Sequence, residues 1–413
     1  MKNQSWDSSY EWKAVTLLTV GFGLVGLDRW IISPLLPTMS RDLHLNYQDA
    51  GNIVAALGLS WGVFAIIGGG LSDRIGRKKV LIPAMVAFSL LSGFSGMVNG
   101  LISLLLIRSA MGVSEGAFCP TSFATTNDAS KPARRGLNLG IQQSTFPLFG
   151  LAFGPIVATQ LLRFITWRWI FVLVAVPGLI LAVLLAITIR EPPSVGKAGH
   201  VERAPISDLL KHRNVPLSML ALFCAMAGIF TLSALVPSYL ADYLKLSTTE
   251  QGLVTSAIGF GGFFGQLVLP GVSDIMGRKV VTLLSFILGA VFVYAFSQSV
   301  APWALFATLL VACFFCFGLL GLITGPIAAE AAPLGLISST TGIIVGSGEI
   351  FGGGIAPIIA GRVAQSFGIQ HTLTMALIAL IIGVVVTVFL RETAPRRLAA
   401  LGAPVAAPSR SEG

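Results

Sequence analysis

The strongest constraint on this chain is that it says the same thing twice. Gly70-Leu71-Ser72-Asp73-Arg74-Ile75-Gly76-Arg77-Lys78-Lys79 returns as Gly271-Val272-Ser273-Asp274-Ile275-Met276-Gly277-Arg278-Lys279, a step of 201 residues from Asp73 to Asp274. The same step of 201 carries Gly51 to Gly252, Gly76 to Gly277 and Arg190-Glu191 to Arg391-Glu392, while a step of 200 carries Pro37 to Pro237 and Asp42 to Asp242. A fixed period running through glycines, prolines and charges marks an internal duplication, each half one structural unit. Two mostly apolar halves of this kind predict a membrane transporter with its site between them.

Composition excludes the soluble alternatives. Of 413 residues 54% are hydrophobic and only 11% charged, too greasy for a water-soluble domain. A spanning helix takes about 20 apolar residues. Val280 to Ala329 holds no Lys, Arg, Asp or Glu, room for two spans with a turn near Pro302, and Trp169 to Ile189 crosses once. Apolar runs and breakers predict an all-α integral membrane fold of twelve spans, at 14–38, 50–71, 80–98, 101–127, 137–162 and 169–190, then 215–240, 250–272, 280–299, 303–328, 338–364 and 370–391. The expected organisation is two pseudo-symmetric six-helix bundles over 1–190 and 214–392, a linker over 191–213 with one amphipathic turn at Ile206 to Leu210, and a disordered tail over 393–413.

The net charge of +9 is spread in short clusters between apolar runs, which predicts topology and not nucleic-acid binding. Arg74, Arg77, Lys78, Lys79, Lys131, Arg134, Arg135, Arg190, Lys197, Arg203, Lys211, Arg213, Arg278 and Lys279 share one side, against Arg41, Arg163, Arg168, Lys245 and Arg362 on the other. Both termini are thus expected in the cytoplasm, in a plasma (inner) membrane, with no cleaved signal peptide. Cys119, Cys224, Cys313 and Cys316 all fall in apolar runs, where packing is the expectation over metal or redox work. No nucleophile–base or metal-ligand constellation suggests an enzyme.

Gly70-x-x-Asp73-Arg74-x-Gly76-Arg77-Lys78 resembles the loop two–three motif of the major facilitator superfamily, and the weaker copy at Asp274 and Arg278 sits where that superfamily has one. A carboxylate at a helix C-terminus opposes the helix dipole, so Asp73 needs a partner elsewhere. The resemblance implies that Gly70, Asp73, Gly76, Arg77, Asp274 and Arg278 form a latch stabilising the state closed to the cytoplasm. Gly26-Leu27-Asp28-Arg29 with Arg108-x-x-x-Gly112-x-x-Glu115-x-x-x-x-Pro120 is similar to the anion:cation symporters, which carry organic anions with a cation, usually protons. Gly150-x-x-x-Gly154-Pro155 resembles the start of the helix-five motif of proton antiporters.

Charges at mid-bilayer cost about 2.5–3.5 kcal/mol even on insertion scales and are functional by default. Arg29 suits a substrate carboxylate, since it offers bidentate donors and no accessible deprotonated state; its structural alternative is as counter-ion to Glu115 or Asp28. Asp28 and Glu115 are the expected proton-coupling groups, because the four histidines fall in loops or at span ends. Arg108, seven residues before Glu115 on the same helix face, is expected to be structural or to tune proton access. Glu349 is the mid-membrane acid of the second half, for the substrate, a second cation or a neighbouring backbone. Gln142, Gln143, Asn138 and Gln266 could bind substrate hydroxyls or bridge helices, and Phe118, Phe146 and Phe149 could wall an aromatic ligand or pack.

The expected function is proton-coupled uptake of a small organic anion, such as a sugar acid or aromatic acid, by a monomer in contact with lipid. No cofactor is expected beyond the coupling ion, H⁺ with Na⁺ as the alternative. The rival is a proton-driven exporter of drugs or metabolites.

Overall fold

The computed structural model describes residues 7–131, 134–191, 206–332 and 337–400. Within these, the side chains of Gly69, Gly70, Asp73, Ile206, Ser207, Ile337, Ser338, Ser339, Pro395, Ala399 and Ala400 lie outside the described set. Twelve helices among the described residues are long and apolar enough to span a bilayer. They are α1 (Ser8–Leu43), α2 (Tyr47–Ile75), α3 (Arg77–Met97), α4 (Leu101–Ala129), α5 (Arg135–Leu161), α6 (Trp167–Thr188), α7 (Asn214–Tyr243), α8 (Thr248–Met276), α9 (Arg278–Gln298), α10 (Pro302–Ala331), α11 (Thr340–Phe367) and α12 (His371–Phe389). Large apolar side chains such as Ile102, Leu106, Val183 and Ile187 stand exposed on the outside, the surface of a protein solvated by lipid.

The duplication is visible in the ends of the helices. α2 opens with a capping box of Asn46 and Asp49, and α8 opens with one of Ser247 and Glu250, in each case satisfying two backbone donors reciprocally. Both helices end on a glycine with positive φ, Gly76 at +116° and Gly277 at +105°, a conformation that a Cβ disfavours. Those two glycines turn the chain directly into α3 and α9.

The bundles meet through the same duplicated glycines. A Cβ on Gly58 of α2 would stand 2.5 Å from the Gly353 carbonyl oxygen of α11, and Gly51 packs on the Pro357 carbonyl. One repeat later, Gly259 of α8 packs on the backbone of Leu151 and Ala152 in α5, and Gly252 on Thr159. Helix pairs α2/α11 and α8/α5 therefore close the molecule at the end carrying loops one–two and seven–eight. Tyr47 ties that end further, its Oη donating to Asp242 (3.0 Å) and its N–H to Gln365 Oε1 (3.2 Å), while Gln48 Nε2 donates to the Ile358 carbonyl (3.2 Å). Glycines nearer the opposite end, Gly136, Gly140, Gly271 and Gly342, have no neighbour within 4 Å of a Cβ position.

Prolines shape the helices that line the interface. α1 runs well past its expected bounds, because Ser8–Trp30 and Ile32–Leu43 continue through a break at Ile31. Pro34 and Pro37 supply no N–H to the carbonyls four residues back. α5 and α11 each pass through a π-helical stretch, Leu148–Phe153 and Gly348–Ile355, just ahead of Pro155 and Pro357, a common way to absorb the missing bond. The linker is helical at Ile206–Leu210, and 192–205 lie outside the described residues. The expected disorder of the tail does not hold at its start. Pro395–Ala400 is helical, and Thr393 Oγ1 donates to Glu330 (2.6 Å); residues 401–413 lie outside the described set.

Candidate functional site

Four of the charged residues expected to matter converge at mid-depth, and a fifth joins them from the other bundle. Arg29 is 3% exposed, on α1 just before the break. Its Nη2 donates to Glu349 Oε2 of α11 at 3.0 Å, an ion pair whose side chains are 3% and 9% exposed. The guanidinium carbon lies 4.7 Å from the Phe230 ring centroid, 5.7 Å from Trp61 and 5.8 Å from Trp30. Such a cage holds a desolvated cation through the ring quadrupoles. The expected counter-ions of Arg29, Glu115 and Asp28, are not its hydrogen-bond partners. The π-helical stretch of α11 carries Glu349 on its first turn and brings it to Arg29 instead.

Arg108 is structural in its bonds. Its Nη1 donates to the Asp28 carbonyl (3.1 Å) and its Nη2 to the Arg29 carbonyl (2.6 Å), the two positions that precede the helix break. Held this way, the break keeps Arg29 aimed across the interface. Glu115 is fully buried on α4, and neither carboxylate oxygen has a hydrogen-bond partner among the described residues. It lies within electrostatic reach of Arg29, Asp28, Arg108 and Glu349. Asp28 Oδ1, Arg29 Nε, Trp30 Nε1 and Trp61 Nε1 are likewise buried without partners. Buried polar atoms are nearly always bonded, and the open donors and acceptors around this guanidinium have the capacity to bond a polar guest or water.

The other expected ligands make contacts of their own. Gln142 is fully buried between helices, donating to Ser122 Oγ (2.6 Å) and the Leu18 carbonyl (3.4 Å). It bridges α1, α4 and α5. Asn138 does the same near the terminus-bearing end, with Ser130 Oγ at 2.8 Å and Glu11 Oε1 at 3.3 Å. Gln143 is half-buried. Phe146 meets Phe22 in a tilted pair with centroids 5.4 Å apart, and Phe118 packs edge-on against Phe88 in the core of the first bundle. The aromatic groups around Arg29 are Trp30, Trp61 and Phe230, not the Phe118, Phe146 and Phe149 named from the sequence as a possible wall.

The loop motif forms two matching polar clusters. The side chains of Gly70 and Asp73 lie outside the described residues, although both positions are in α2. Arg77 Nη1 donates to Ser72 Oγ (2.9 Å) and its Nε pairs with Asp128 (3.4 Å). In the second copy Arg278 bonds Ser273 Oγ and pairs with Asp274 (2.6 Å) and Glu330 (2.9 Å). Glu191 accepts from the N–H groups of Arg77 (2.9 Å) and Lys78 (2.7 Å), capping α3. Glu392 accepts from Arg278 (2.8 Å) and Lys279 (3.2 Å), capping α9. Carboxylates at helix N-termini are favoured by the dipole. The signal for these two was already in the repeat, in the matched pairs Arg190-Glu191 and Arg391-Glu392; nothing comparable marked Asp128 or Glu330.

Comparison with known proteins agrees with this architecture. The hexuronate transporter of Bacillus subtilis (strain 168) is 33% identical over 262 residues, covering 61% of this chain and 62% of that protein's own length. The probable L-galactonate transporter of Escherichia coli (strain K12) is 26% identical over 384 residues, 85% of this chain and 82% of that protein. The solved structure of a bacterial homolog to the human lysosomal transporter Spinster, in an inward-facing and occupied conformation, superposes with a TM-score of 0.78 at 16% identity, covering 94% of this chain and 97% of that one; at that identity the likeness is one of fold. A family profile described as Major Facilitator Superfamily matches residues 18–343 and 218–411. With both duplicated halves inside those matches and twelve spans folded as two bundles, the chain belongs to the Major Facilitator Superfamily, a family of membrane transporters and not of enzymes.

Proposed function

We propose that the protein takes up a small organic anion, a carboxylate, together with protons, by rocking its two bundles about the Arg29 cluster. The observation that carries this is the composition of the cluster: two guanidiniums, Arg29 and Arg108, and two further carboxyl groups, Asp28 and Glu349, lie buried within electrostatic reach of the buried Glu115. Arg stays charged, so full ionisation leaves one negative charge in excess, and desolvated charge is costly. A guest carboxylate adds another. Protons on Glu115 and Asp28 restore neutrality, which makes anion entry and proton uptake one event. Open donors at Trp30 and Trp61 and open acceptors at Glu115 suit a guest with hydroxyl groups, in keeping with relatives named for hexuronate and galactonate.

With the termini in the cytoplasm, as the Lys and Arg distribution favours, the closed end described above faces outward and the site would communicate with the inside. Moving net positive charge inward draws about 2.3 kcal/mol per charge per 100 mV. Uptake of labelled D-glucuronate into proteoliposomes under an imposed pH gradient tests the reading. Accumulation that collapses with the gradient is expected; accumulation indifferent to both gradient and voltage overturns the coupling. Glu115→Gln should lose proton-driven accumulation and keep counterflow exchange.

A further inference from the structure

We propose that Glu349 is an internal stand-in for the substrate's carboxylate: it holds Arg29 across the bundle interface when no guest is bound, yields it to the guest, and is then neutralised by the accompanying proton. The idea rests on the anion-uptake reading and adds to it a competitor, a second bundle and a third proton-accepting group.

Three observations point this way. The pair is charge-assisted and nearly dry, at 3.0 Å with both side chains under a tenth exposed, so Arg29 already has the ligand type that a carboxylate substrate would present. The pair spans the two bundles, so exchanging its carboxylate for a guest's removes a contact that ties them together. Third, the described residues around Glu349 offer it no substitute cation. α7 presents Met226 and Phe230 to this turn and carries the thiol of Cys224, while α2 presents Gly62 with Trp61 beside it. The charges within reach are Arg29 of α1 and the acid Glu115 of α4, with the Cys119 thiol nearby. Once Arg29 turns to a guest, Glu349 stands among apolar groups beside another carboxyl, and a proton drawn from the aqueous phase that admitted the guest removes its charge. Coupling then follows from occupancy: guest and Glu349 cannot both hold Arg29.

Glu349→Gln keeps the size and removes the competitor. With purified full-length protein and D-glucuronate as probe, wild-type affinity should fall roughly tenfold between about pH 5.5 and about pH 7.5. The variant should bind at the higher pH more tightly than wild type does there, show a shallower pH dependence because Glu115 and Asp28 still take up protons, lose accumulation and retain counterflow. Weaker binding of the variant at both pH values would make Glu349 an ordinary substrate ligand and overturn the proposal, as would unchanged pH dependence. A second measurement needs no ligand: spin labels at Leu137 of α5 and Ile275 of α8, both exposed, report the distance between bundles. In the ligand-free variant a second distance population should appear, and an unchanged distribution refutes the tie. If wild type neither binds nor takes up D-glucuronate while the distances still shift, the uptake reading has failed for this probe and the cross-bundle tie stands. Glu349→Asp, which retains the charge, should restore pH-dependent binding and guards against a folding artefact.

Discussion

Arg29 and Glu349 are 320 positions apart and belong to different bundles, yet their side chains meet at 3.0 Å in the buried centre of the molecule. The partners are unequal in what surrounds them. Arg29 has Phe230, Trp61 and Trp30 about its guanidinium, whereas the described groups charged oppositely to Glu349 begin and end with Arg29 at hydrogen-bond distance.

That inequality predicts an asymmetric mutant cycle. Arg29→Gln leaves Glu349 as a buried carboxylate without a partner and should destabilise the ligand-free protein by about 3–5 kcal/mol. Glu349→Gln should cost less, since the aromatic cage and Glu115 still stabilise the cation. The double variant should recover most of the loss from Arg29→Gln and none of the transport. Thermal unfolding in detergent gives the stabilities and proteoliposome uptake the activity; equal costs for the two single variants would contradict the cage's role.

Gly58→Ala addresses the bundle contact. The added methyl carbon would sit 2.5 Å from the Gly353 carbonyl oxygen, inside van der Waals contact with backbone that has no flexible end to move. α2 and α11 must then separate at the closed end. Initial uptake rates should fall by about tenfold or more, corresponding to about 1.4 kcal/mol or more, while membrane insertion is unaffected. Gly100→Ala, with nothing within 4 Å of its Cβ position, serves as the matched control and should transport normally.

Glu191 and Glu392 make the same bonds in the two halves, each accepting from two backbone N–H groups at the start of a helix. Glu191→Gln and Glu392→Gln should each lower stability by about 1 kcal/mol. Their closeness in size is the point to measure by thermal unfolding. A large effect at one site with none at the other would show that the two clusters have diverged in role despite their geometry.

Gln142→Leu separates bridging from substrate binding. Loss of the bonds to Ser122 and to the Leu18 carbonyl should cost about 1–3 kcal/mol of stability, the usual result of leaving buried polar groups unpaired. KM for transport should stay within about twofold of wild type, which corresponds to about 0.4 kcal/mol. A KM raised by tenfold with unchanged stability would return Gln142 to the substrate site.

Much of this architecture follows from local information. The 201-residue step, the uncharged runs and the glycines at positions 76 and 277 are properties of the chain read along its length, and they suffice for a duplicated twelve-span bundle. Asp28, Arg29, Arg108 and Glu115 were also conspicuous, because charge inside an apolar run is expensive wherever it falls. Which charge answers which is another matter. Arg29 pairs with Glu349 and leaves Glu115 open because a π-helical stretch ahead of Pro357 carries α11 against α2, and Gly58 lets the two backbones approach. Arg108, on α4 with Glu115, directs its donors to the carbonyls just before the break in α1. Spacing along one helix reveals which residues share a face. Contacts between bundles depend on how two separately folded halves dock, and only three-dimensional packing sets that.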